Sequence, residues 1–399
     1  MADIELDEQQ ENQQEEPQES RPTDQELGKK KKISLKEIKQ KINDFFANPK
    51  KRLIFIISLG LVIVFAFGFG LYSLSHEKNA ADKLKGKNNQ ANEAKYSAVL
   101  DGVMTDQTSA NRHPLAIIVE NHPDARPQSG LDQASIVYEA IAEGGITRFL
   151  AIFGTHEAEK VGPVRSARTY YVDWAHGYNA FLAHVGGNID ALEKIPKDKI
   201  LDLDQFSYSS PYWRENSVGL ATEHTMYTST IKLREQAKSN KYSDANNFNV
   251  MKFKDDPSDV EKASAPDKQK ISVVFSNAQY NVDFEYDKTT NSYKRFLADS
   301  PHVDKISKNQ INPKNVVIMT VKRKPTVTKI NETGYDMTTI GSGEAKIFID
   351  GKVIKGTWKK PSATDRELFY DEAGNEVVFN RGQFWICVIP PDGGSVSVQ

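Results

Sequence analysis

The residues best equipped for chemistry crowd between positions 120 and 225. Arg165 and Arg168 stand three apart in "GPVRSARTYY", just after a Gly-Pro where a helix is expected to begin. A helix start already carries partial positive charge from its unpaired N–H groups, so two cations there ask for a negative partner. Arg148 follows the glycine turn in "EGGITR". If the three guanidinium groups converge, with the N–H groups of the turn after Gly162 aimed the same way, they make a site for a carboxylate or phosphate. The competing reading pairs them with Glu139, Glu143 or Asp173 as ordinary ion pairs.

Other reactive side chains lie nearby. Glu139 and Glu143 flank a strand end, and two carboxyl groups at a suitable separation could act as acid and base in glycoside hydrolysis. His184 ends the run "AFLAH" before Gly186-Gly187, where backbone can approach a ligand closely. Asn188, Asp190, Glu223 and His224 complete the group. The two histidines suit a general base or a metal ligand, and equally a hydrogen-bonded structural role.

Motif matches narrow the chemistry. "HEAEK" at 156–160 has Lys160 where a zinc-protease pattern needs its second histidine, so no metal is expected from it. The chain contains no nucleophile elbow, phosphate-binding loop or Cys-x-x-Cys pair, and no cofactor is expected. "GSGEAK" at 341–346 lies among hairpins and reads as a turn. "QFSYSSPYWREN" at 205–216 reads as a loop whose aromatics could flank a pocket.

These residues belong to a chain with a marked lengthwise organisation. Its formal charge of −2 argues against a nucleic-acid partner, but the charge is unevenly placed. Residues 1–28 hold ten acidic side chains and one arginine, with too little apolar surface to offset chain entropy, and read as a disordered acidic tail. Residues 29–52 hold ten Lys or Arg; "SLKE" caps a helix whose Ile38, Ile42, Phe45 and Phe46 share one face, as a basic helix on an anionic membrane would. The 22 residues from Leu53 to Leu74 carry no charge. At about 1.5 Å per residue they span a bilayer core, so a transmembrane helix is expected over 53–75. The excess of basic residues before this run places the N-terminus in the cytoplasm and the rest outside.

Residues 76–108 read as a polar linker. From 109 to 251 the pattern is mixed α/β, with strands at Leu115–Glu120, 134–142, 147–154 and 180–184 and a helix over "VRSARTYYVDWAHGY". The charged stretch 252–270 reads as a second linker or exposed loop, and 271–392 as a smaller β-rich domain of hairpins. The fold class is α+β. Cys387, the only cysteine, sits in "FWICVIP" as a buried small hydrophobe, which suits a bacterial envelope protein better than a disulfide-stapled ectodomain.

The runs "RPQSGLDQASIVYEAIAEGGITRFLAIF", "VGPVRSARTYYVDWA" and "IFIDGKVIKGTWKK…FYDEAGNEVVFNRGQFWICVIP" resemble the YerB-like lipoproteins, a bacterial family named for a domain of unknown function. The resemblance covers roughly residues 109–390 and implies a membrane-attached extracytoplasmic protein with N- and C-terminal domains. An uncleaved helix stands here in place of a lipidated cysteine. Two functions fit. The first is a binding protein for an anionic cell-wall polymer or an envelope protein, using Arg148, Arg165, Arg168, Asn188 and His224. The second is an envelope hydrolase or transferase acting on peptidoglycan or an anionic wall polymer, with Glu139, Glu143 or His184 as acid or base.

Overall fold

The computed structural model describes residues 34–47, 49–50, 95–215 and 219–399, in two compact units, Met1–Asn92 and Glu93–Gln399. In the first unit the described part is a helix, Leu35–Ala47, whose Ile38, Ile42, Phe45 and Phe46 are all exposed. Among the described residues no helix is long and apolar enough to cross a membrane. The expected acidic tail, the expected span over 53–75 and the start of the expected linker lie outside the described residues.

The second unit is built on a ten-stranded mixed sheet that runs across the expected boundary at 252–270. Five strands from the C-terminal half lie side by side: Leu368–Asp371, Lys352–Lys360, Gly341–Ile349, Asn315–Thr320 and Phe384–Ile389. Five from the N-terminal half continue the same sheet: Ile136–Ile141, Thr147–Phe153, Leu115–Glu120, Phe181–His184 and Leu201–Asp204. The joint is the parallel pair in which Cys387 lies opposite Glu139. Every residue of Phe384–Ile389, Ile136–Ile141 and Leu115–Glu120 is buried, as central strands covered on both faces should be.

Alternation along these strands sends residues to two cores. One face buries Ile117, Val119, Val137, Phe149, Trp385 and Cys387 with Ile271, Val282, Phe284 and Tyr293 of a separate five-stranded sheet. The other buries Ile118, Tyr138, Leu150 and Ile386 with Tyr170, Tyr171 and Trp174 of the helix Thr169–Gly177. Burial in both cores stabilises the fold at roughly 25 cal/mol per Å² of apolar surface removed from water.

Several elements differ from the sequence pattern. Helix Thr169–Gly177 begins seven residues after Gly162, because "GPVRSAR" is extended and occupied by bridges from Gly162 to Ser129, Val164 to Val119 and Ala167 to Gly187. "GSGEAK" is the opening of strand Gly341–Ile349, paired with Lys352–Lys360 throughout, and not a turn. The stretch 252–270 carries a strand, Lys252–Lys254, and a capped helix, Asp259–Ala263. The expected linker ends before 98, since Ala98 and Leu100 are buried and Asp101 accepts hydrogen bonds from Ser135 at 2.6 Å and Thr155 at 2.7 Å.

Candidate functional site

The extended strap 162–168 sets the position of the arginines. Its backbone is tied by Glu120 N–H to Pro163 O at 2.9 Å, Arg165 N–H to Ile118 O at 2.9 Å and Val185 N–H to Arg165 O at 3.1 Å. Arg165 therefore lies four residues before the first helical residue, Thr169, and Arg168 is the N-cap residue. The two do not occupy adjacent helical turns. Extended geometry alternates side chains, so odd spacing along the strap points them apart.

Arg168 turns back onto Glu143, with Nε on Oε1 and Nη2 donating to Oε2 at 2.8 Å. Arg148 donates to the same Oε2 at 3.3 Å and to Ser166 O at 3.2 Å. Burial by itself would raise the Glu143 carboxyl, but the Arg168 hydrogen bond and the charges of Arg148 and Arg168 outweigh it and hold the group below the usual carboxylate range. The positive charge at the helix start is thus met by a carboxylate of the chain itself.

Arg165 faces elsewhere. Its Nε lies 3.2 Å from Glu120 Oε1, and its Nη1 donates to Glu223 O at 3.3 Å. Glu120 Oε2 accepts from His224 Nδ1 at 2.8 Å, and the His224 ring stacks on His122 with centroids 4.9 Å apart. Beside this group a hollow of about 140 Å³ is lined by Val164, Arg165, Ser166, Val185, Arg214, Glu223 and Met226. At roughly 30 Å³ per water it has room for one phosphate or carboxylate head. Arg214 donates to Thr222 O at 2.5 Å and to Thr225 Oγ1 at 3.3 Å, and has no carboxylate within ion-pair distance among the described residues.

The remaining candidates are held apart from this hollow. Glu139 is fully buried: Oε2 accepts from Arg295 Nη2 at 2.7 Å and Trp385 Nε1 at 3.0 Å, and Oε1 accepts from Thr147 at 3.0 Å. His184 is also buried, with Nε2 2.9 Å from Asp202 Oδ1 and Nδ1 2.7 Å from Gly186 O. With acceptors on both ring nitrogens the imidazolium form is favoured; burial opposes it, yet the Asp202 hydrogen bond and the Asp202 and Asp204 charges raise the group above its ordinary value. Asn188 caps the helix Ile189–Lys197, accepting from Ala191 N–H at 3.1 Å. Glu139, Glu143 and His184 therefore do not share one cleft with an exposed pair of carboxylates.

A larger hollow of about 570 Å³ lies between Arg112, His113, Phe181, Arg234, Lys238 and Tyr242. Its two arginines are engaged by Glu157 at 3.3 and 3.0 Å and by backbone carbonyls, and no candidate from the sequence lines it. The smaller hollow is the better site on chemical grounds.

Residues 100–243 match the N-terminal domain, and residues 271–386 the C-terminal domain, of a protein of unknown function designated DUF3048. Over 306 residues the chain is 31% identical to "Putative lipoprotein YerB" of Bacillus subtilis (strain 168), covering 76% of this chain and 89% of that protein. The chain belongs to the DUF3048 family. A crystal structure of the YerB protein from Bacillus subtilis superimposes with a TM-score of 0.66 at 29% identity, over 76% of this chain and 99% of that one. The DUF3048 N-terminal match contains every candidate residue considered above, whereas Arg295 and Trp385, which hold Glu139, come from the C-terminal match. Arg214 was hidden in "PYWREN" by its aromatic neighbours, and Glu120 by its place at the end of an apolar strand.

Proposed function

We propose that this chain is a membrane-anchored, extracytoplasmic binding protein of the bacterial envelope, and that it takes an anionic group between Arg165 and Arg214. The observation that carries the binding reading is that Arg165 and Arg214 line one hollow with Ser166, and Arg214 has no carboxylate within ion-pair distance among the described residues. Two arginines beside a small concavity suit the planar or tetrahedral oxygens of a carboxylate or phosphate. An anionic wall polymer supplies such groups repeatedly, and an envelope protein supplies them on its surface.

Anchoring is supported by the uncharged run Leu53–Leu74 with basic residues before it, and by a relative whose name describes a lipoprotein. A single span would hold the outer unit near the membrane as a lipid holds such a relative. Retention of the full-length protein on purified cell-wall polymer tests the reading. Arg214→Ala should lower retention at least several-fold and Glu143→Gln should not; equal retention by both variants and the parent would refute it.

A further inference from the structure

We propose that His122, Asp124 and His224 form a binding site for a divalent transition-metal ion of the zinc class. One ligand atom from each of the three lies within 4.8 Å of the others. His122 and Asp124 come from the short turn at Pro123–Ala125, and His224 from the turn Thr222–His224, about a hundred residues later. No local sequence spacing joins these three residues.

Glu120 supplies the second requirement. Its Oε2 accepts from His224 Nδ1 at 2.8 Å, which puts the proton on Nδ1 and leaves Nε2 with a free lone pair. A carboxylate behind a histidine in this way fixes the ring and raises its basicity as a metal ligand. Glu120 Oε1 meanwhile faces Arg165 Nε at 3.2 Å, which compensates the nearest guanidinium charge.

Two imidazoles and one carboxylate suit zinc and its neighbours, whereas magnesium and calcium prefer all-oxygen shells. Three protein donors also leave a coordination position for solvent or an exogenous anion. The two rings lie nearly parallel, at 17°, so one must turn for both nitrogens to reach a single ion. His122 is the ring able to do so: its side chain is 33% exposed and, among the described residues, its Nδ1 is engaged only by Asp124, accepting from the backbone N–H at 3.3 Å with Oδ2 at 3.6 Å.

The inference does not rest on the anion-binding reading, since neither Arg165 nor Arg214 is a ligand. The full-length chain, purified in detergent without a polyhistidine tag, is titrated calorimetrically with Zn²⁺ and, separately, with Mg²⁺. One Zn²⁺ per chain is expected, with no heat from Mg²⁺. His122→Ala, at a half-buried position, and Asp124→Asn, at an exposed one, should each weaken Zn²⁺ binding by about tenfold or more, and Glu120→Gln by about 10- to 100-fold although it donates no ligand. Arg214→Ala should leave Zn²⁺ binding unchanged. Absence of stoichiometric Zn²⁺ binding by folded parent protein, or His122→Ala binding Zn²⁺ as tightly as the parent, would overturn the proposal.

Discussion

Glu139 and Arg295 form an ion pair at 2.7 Å with both side chains wholly buried. They are 156 residues apart, one on strand Ile136–Ile141 of the ten-stranded sheet and the other on strand Ser292–Leu297 of the five-stranded sheet. The pair therefore locks the N-terminal family domain to the C-terminal one. Arg295 lies over the Trp385 ring at 4.3 Å and donates to His302 Nδ1, while His302 Nε2 donates to Gln128 Oε1 at 2.9 Å. Burial and the charges of Arg295 and Arg126 push His302 well below its ordinary value, so it is neutral and can accept from the guanidinium.

Breaking this pair should be costly. Glu139→Gln leaves a buried guanidinium without its counter-charge and should lower stability by roughly 3–5 kcal/mol in urea unfolding, whereas Glu139→Leu with Arg295→Met should cost less than either single change. An unchanged unfolding midpoint for Glu139→Gln would contradict a structural role for the pair.

Glu143 should give the protein an acid-sensitive component. Its carboxyl is held below the ordinary range, so the stability it contributes is present above the unfolded-state value of about 4.3 and is lost as pH falls through the folded-state value. Thermal unfolding measured from pH 7 to pH 3 should show a shallower acid decline in Glu143→Gln than in the parent. The variant should also be less stable at pH 7, because Arg148 and Arg168 lose their shared partner.

His184 should act in the opposite direction. Its imidazolium is favoured in the fold, so its contribution is complete below about 6.5 and disappears as pH rises through the raised folded-state value. Between pH 6 and pH 9 the melting temperature of the parent should fall more steeply than that of His184→Gln. Parallel curves would mean that the Asp202 contact does not favour the charged ring.

Asn188 separates capping from ligand binding. Asn188→Ala removes the side-chain acceptor at the start of Ile189–Lys197 and should cost about 1 kcal/mol in chemical unfolding. Retention on cell-wall polymer should be that of the parent once folding is matched; a selective loss of retention would assign Asn188 to the ligand instead.

Much of the secondary structure is legible in local pattern. Leu115–Glu120 is a continuous apolar run and is a central strand, "NIDALEKI" is a capped helix, and "IFIDGKVIKG" turns at Asp350 and Gly351, both with positive φ. The strap "GPVRSAR" resists such reading because its extended form depends on bridges to Ser129, Val119 and Gly187, none of them a sequence neighbour. Apolar and aromatic residues nearby carry helical spacing, and tertiary pairing overrides it before residue 169.

Chain composition by itself determined the basic stretch, the uncharged run at 53–74, the single cysteine and the periodicity of strands such as Leu115–Glu120, because these depend on residues within one or two turns of each other. Tertiary structure decided which charges meet. It sent Arg168 and Arg148 to Glu143, Arg165 to Glu120, and Glu139 to Arg295 across two sheets. Ion-pair partners are chosen by distances of a few ångströms after burial, and Coulomb energy at those distances carries no mark in the linear spacing of the residues.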